Sequence, residues 1–141
     1  MKSFDEFEES NQIKKITPNY NEINSIKKDS LDRFKTFWLQ KNNKTMSKYV
    51  FENLYESLRE LSECIALNEG YKIYSHEITI SLLLSKGYLN DIEANVFDSF
   101  RKLRNQSKYY GKEISFERLN ESLEDFKKLK NKLLTFLKRG K

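Results

Sequence analysis

Between Phe116 and Phe136 the apolar residues Phe116, Leu119, Leu123, Phe126, Leu129, Leu133 and Phe136 step by three and four, with no Gly or Pro among them. Such a spacing returns to one face of a helix and to no single face of a strand, so it predicts a long amphipathic helix with Ser115 as its cap. The same period recurs upstream. Ile23, Ile26, Ser30, Phe34, Phe37 and Trp38 predict a helix over 20–41. Met46, Val50, Leu54, Leu58, Leu61 and Ile65, flanked by Phe51 and Tyr55, predict another from a cap at Thr45 to a stop at Gly70. "HEITISLLLSK", residues 76–86, is apolar nearly all round and is expected to be buried, with Ser75 as cap and Gly87 as stop. Asn90 and Glu93 read as a capping box opening a helix whose core side is Ile92, Val96, Phe100, Leu103, Ser107 and Tyr110, closed by Gly111.

Only four Gly and one Pro interrupt the 141 residues, and no alternating strand pattern competes. The expected fold is therefore all-α, an antiparallel bundle of four to five helices. Phe4, Phe7, Ile13 and Ile16 sit in a polar setting before Pro18, so residues 1–18 read as a short N-terminal helix or arm and 19–141 as a single domain. A lone Cys64 allows no internal disulfide, the start is acidic, and the longest apolar run, "ITISLLL", is far short of a bilayer span. A cytoplasmic location without membrane contact is expected.

Charge is unevenly placed. Residues 1–100 carry 13 basic and 16 acidic side chains, whereas 101–141 carry 13 basic and 5 acidic. The positive potential belongs to the last two helical segments and suits a polyanion such as RNA; a solvated Lys-rich face fits the same numbers. No Cys or His cluster has metal-ligand spacing, and there is no phosphate-cradling glycine loop or nucleophile elbow, so no metal or cofactor is expected.

The chemistry that remains lies around 101–113, "RKLRNQSKYYGKE". Phe97, Arg101, Arg104 and Lys108 share one helix stripe, and a guanidinium grips phosphate at two points, with Asn105 beside it as a further donor. A solvated helix side with Arg104 in an ion pair is the alternative. Tyr55, Glu56, Arg59 and Glu60 are at contact spacing and read as a structural ion pair beside a packed phenol or, alternatively, as a cleft wall formed by Arg59 and Glu60. His76 reads as a local helix-start residue or as an imidazole brought near Arg104.

"RKLRNQSKYYGKEIS", residues 101–115, resembles the signature helix of the HEPN superfamily, small helical bundles found in toxin–antitoxin pairs and other RNA-targeting systems. "YESLRELSECIALNEGYKIYSHEITISLL", residues 55–83, is similar to the central region of archaeal HEPN-domain proteins, so the resemblance spans roughly 45–120. It implies a HEPN-like two-fold dimer whose Arg-bearing helices face each other across a cleft. Catalytic members are metal-independent RNases carrying Arg, usually followed by Asn, with a His five to seven residues after the Arg. Arg104 and Asn105 match the first half; Tyr109, Tyr110 and Gly111 stand where the His would be. With a reference pKa near 10, tyrosine is a poor general base at neutral pH.

The expectation is an RNA- or nucleotide-binding protein without efficient catalysis. Phosphate is contacted by Arg101, Arg104, Lys108, Tyr109, Tyr110 and Lys112. Should chemistry occur, it uses Arg104, Asn105 and Tyr109, and Tyr55, Arg59, Glu60 and His76 line the cleft or support it. The alternatives are a metal-independent endoribonuclease toxin paired with a minimal nucleotidyltransferase antitoxin, and a helical protein–protein interaction module docking through the seam from Phe116 to Phe136.

Overall fold

The computed structural model describes residues 2–139, with side chains through Leu137. In chain order it contains α1 (Phe4–Phe7), β1 (Ile13–Lys15), α2 (Tyr20–Trp38), a 3-10 turn (Lys44–Met46), α3 (Ser47–Asn68), β2 (Tyr71–Ile73), α4 (His76–Ser85), α5 (Asp91–Tyr110) and α6 (Phe116–Arg139). The fold is mostly helical, and the described residues include one two-stranded sheet.

Local chemistry explains the boundaries. Asn90 Oδ1 accepts the Glu93 N–H at 2.8 Å while Glu93 Oε1 accepts the Asn90 N–H at 2.9 Å, completing the capping box that opens α5. Gly111 ends α5 with φ at +67°, a left-handed conformation that a residue with a Cβ rarely takes. Ser115 Oγ accepts the Arg118 N–H at the start of α6. Two expected caps act differently. Asn43, not Thr45, caps before α3: its side chain takes both the N–H and the hydroxyl of Thr45, winding the chain into the 3-10 turn first. Ser75 holds the cap position of α4 without a side-chain cap bond.

The central helix is α3, which packs against α2, α4, α5 and α6. Val50, Phe51, Leu54, Tyr55, Leu58, Leu61 and Cys64 on it are fully buried. Phe51 meets Phe126 of α6 and Phe100 of α5 edge-on, with ring centroids 5.0 and 5.5 Å apart, and Phe100 stacks on Phe126 at 4.5 Å. This aromatic triad ties three helices together.

Two parts depart from the periodicity. The short helix or arm expected before residue 19 holds a single helical turn, Phe4–Phe7, after which the chain extends and pairs antiparallel with β2, placing Ile13 opposite Ile73 and Lys15 opposite Tyr71. Phe4 is buried with Ile78 and Leu82 of α4, so the arm closes a second apolar cluster. Three-residue strands are too short to show alternation, and their pairing spans most of the N-terminal half of the chain. The second departure is rotation of α5. Ile92 and Tyr110, expected in the core, are 76% and 82% exposed, and the buried line runs through Ala94, Phe97, Phe100, Arg104 and Ser107. Small Ala94 and Ser107 fit against neighbouring elements, and Ser107 donates to Glu52 of α3 at 2.6 Å. The polar end of this line, Arg104 and Ser107, is buried because its partners on α3 are polar too.

Candidate functional site: a cleft between α3, α4 and α5

The rotation of α5 turns Arg104 inward. A cleft of about 730 Å3 opens there, walled by Glu56, Arg59 and Glu63 of α3, by Lys72 to Glu77 and Thr79 along β2 and the start of α4, and by Arg101, Arg104, Asn105, Lys108 and Tyr109 of α5. Gln12, just before β1, closes the remaining side, which makes the arm part of the wall. A smaller hollow of about 220 Å3 lies beyond Glu56, Arg104 and Lys108, bounded also by Arg33, Glu52 and Asn53.

Arg104 is only 8% exposed. Its guanidinium carbon lies 4.8 Å from the centroid of the Tyr55 ring and 5.9 Å from that of Tyr109, so the cation is held between two π faces. Its nearest carboxylate, Glu56 Oε1, is 4.0 Å from Nη1, beyond hydrogen-bond length, and Nε is buried with no partner. Glu56 is instead committed to Arg59, which donates through Nε at 3.0 Å and Nη2 at 2.5 Å. Burial opposes the Glu56 charge, but the hydrogen bond from Arg59 and the charges of Arg59, Arg104 and Arg33 hold its carboxyl below the usual range. Arg101 is clamped to Asp98 at 2.8 Å. Lys108, on the rim, has no ion-pair partner among the described residues and lies 6.0 Å from the Tyr109 ring.

His76 begins α4, and its Nδ1 is hydrogen-bonded to the Tyr55 hydroxyl. Its ring stands edge-on to Phe97 at 5.0 Å. Burial and then the charges of Arg59, Arg104 and Arg101 hold the imidazole well below its ordinary pKa, so it is neutral. Burial pushes the Tyr55 phenol up, so it stays protonated, although Arg104 pulls the other way. A protonated phenol donating to a neutral imidazole leaves the ring proton on Nε2, and Nε2 is buried without an acceptor. His76 is thus configured as a hydrogen-bond donor, not a base.

The cleft brings together Arg101, Arg104, Asn105, Lys108, Tyr109, Arg59 and His76, with Tyr55 buried behind Arg104 and His76. Three expected residues lie apart. Tyr110 and Lys112 are exposed outside the cleft: Tyr110 is turned about 100° around α5 from Tyr109, and Gly111 ends the helix before Lys112. Glu60 faces α2, where Arg33 Nε donates to it at 3.3 Å. Gln12, Lys72, Tyr74 and Thr79 were not foreseen as cleft residues; the first three reach it through the strand pairing, which leaves no local pattern, and Thr79 through the first turn of α4. Glu56 had a signal, its spacing of three from Arg59, but not its proximity to Arg104.

Among the described residues no group of three or more His, Cys, Asp or Glu is arranged to hold a metal ion, and no helix is long and apolar enough to cross a membrane. No family model matches the chain, and no curated protein matches it either.

Proposed function

We propose that the cleft binds a phosphate group of RNA or of a nucleotide, and that the protein acts by binding without efficient cleavage. One observation carries this reading: a nearly buried arginine, cradled by two tyrosines, whose Nε has no partner and whose nearest carboxylate is committed to another arginine. A guanidinium with unspent donors in a shielded site suits an oxyanion. On the HEPN-like reading of 101–115, two such clefts lie near the axis of a homodimer, and a bound polyanion offsets the repulsion between the two α5 helices.

Fluorescence anisotropy with a labelled single-stranded RNA at low salt tests the reading. Wild-type protein binds, with affinity falling as salt rises, and Arg104→Ala weakens binding at least about tenfold. Unchanged affinity in a folded Arg104→Ala variant sinks the proposal.

A second reading, metal-independent RNA cleavage, draws on the presence of His76 in the same cleft as Arg104, supplying from α4 the imidazole that α5 lacks. Its neutral, donor-configured state disfavours a base role. Incubation of RNA with the protein in EDTA decides: products ending in 2′,3′-cyclic phosphate, lost in Arg104→Ala, establish the enzyme, and intact RNA supports binding alone.

A further inference from the structure

Two nitrogens from separate helices are buried in the cleft residues without a hydrogen-bond partner: Nε of Arg104 on α5 and Nε2 of His76 on α4, a donor in the tautomer set by the bond from the Tyr55 hydroxyl. Unpaired buried donors are costly and rare in folded proteins. Both residues touch Tyr55, which holds His76 by its hydroxyl and lies 4.8 Å from the Arg104 guanidinium by its ring. The floor of the cleft therefore has two polar side chains arranged about one phenol, with Asn105 and Thr79 also on its walls.

We propose that this floor is a subsite for a terminal phosphate, the phosphomonoester at an RNA end or on a mononucleotide, rather than for the internal diesters of a strand lying across the cleft. The proposal rests on the phosphate-binding reading above and narrows it. Access is the first reason. Arg104 is 8% exposed, so a group that reaches it must project inward, whereas an internal diester carries a sugar on each side. Oxygen count is the second. A monoester offers three free oxygens to the surplus of donors, and a diester offers two. Charge is the third. Five basic and three acidic side chains line the cleft, an excess of two positive charges, with His76 neutral. That excess matches a phosphomonoester, at about −1.5 to −2 near neutral pH, better than a singly charged diester. Tyr109, 63% exposed on the rim, is placed to stack on the base next to a phosphate seated below it.

The test compares one short single-stranded RNA in three forms, 5′-phosphorylated, 3′-phosphorylated and hydroxyl at both ends, with adenosine monophosphate and adenosine as the mononucleotide pair. At least one phosphorylated end binds about tenfold or more tightly than the doubly hydroxylated strand, and the monophosphate binds more tightly than the nucleoside. His76→Ala and Arg104→Lys shrink that ratio toward one, whereas Lys108→Ala, on the exposed rim, weakens all three RNAs alike and leaves the ratio intact. Equal binding of the three RNAs by wild type overturns the terminal-phosphate subsite and leaves the phosphate-binding cleft standing. Failure to bind any RNA or the monophosphate overturns both. A folded His76→Ala protein that keeps the full ratio removes His76 from the subsite; should that variant unfold by circular dichroism, the wild-type and Arg104→Lys ratios still decide.

Discussion

Two successive turns of α3 meet α5 in opposite ways. At the first, Phe51 closes with Phe100 and Phe126 into a dry aromatic contact. About one turn further on, the same two helices meet through Tyr55, Glu56, Arg59 and Arg104, a set of charges and polar groups in which Nε of Arg104 is left unpaired. The aromatic side stabilises at no polar cost. The polar side confines charges for which the fold provides only part of the compensation, and apolar residues of similar volume would often hold two helices as well or better. The contrast separates what holds the bundle from what the cleft presents to a ligand.

The contrast breaks first at the aromatic side. Phe126→Ala removes a fully buried ring that touches two others and should cost about 3–5 kcal/mol in urea unfolding. A loss below about 1 kcal/mol would mean that the triad does not hold the helices together.

On the polar side, Glu56→Gln should cost about 2 kcal/mol, because Arg59 and Arg104 then lose a carboxylate in a half-buried setting. The pH dependence has a definite sign. The Glu56 carboxyl is held below its ordinary value of 4.5 in the folded state, so its contribution is complete above about pH 4.5 and is lost as pH falls through the lower folded value. Unfolding curves of wild type and Glu56→Gln should therefore converge in acid, and curves that stay parallel down to pH 3 would refute that account.

The smallest effect sharpens the comparison. Tyr55→Phe keeps the ring under Arg104 and removes only the hydroxyl bonded to His76, a loss of about 1 kcal/mol at neutral pH. His76 has a folded pKa depressed well below 6.5, so wild type should lose stability as pH falls below 6.5, where the unfolded chain takes up the proton first. A His76→Gln variant should lack that particular decline, and differential scanning calorimetry between pH 7 and 5 measures it.

Much of this contrast was legible before any packing was considered. The seam from Phe116 to Phe136, the buried character of 76–85 and the stripe on α3 follow from period and composition. The face of α5 did not. Reading Ile92 and Tyr110 as core is natural for their side chains, yet hydrophobicity ranks Arg104 outside and the fold places it inside, because Tyr55 and Glu56 await it. Likewise Arg59 was expected at contact with Glu56 and is there, whereas Glu60, one residue on and so turned by about 100°, reaches Arg33 instead.

By itself the sequence determined the helices and where most of them stop, because capping bonds, left-handed glycines and a period of three to four residues act over a few neighbours. Asn90 with Glu93, and Gly111, need no other part of the chain to do their work. Tertiary structure alone decided that the arm becomes a strand against β2, that His76 meets the Tyr55 hydroxyl 21 residues away, and that Arg104 turns inward. Those outcomes depend on how helices pack at a distance, where a buried polar group is tolerated according to the partners that other elements supply, which no local pattern records.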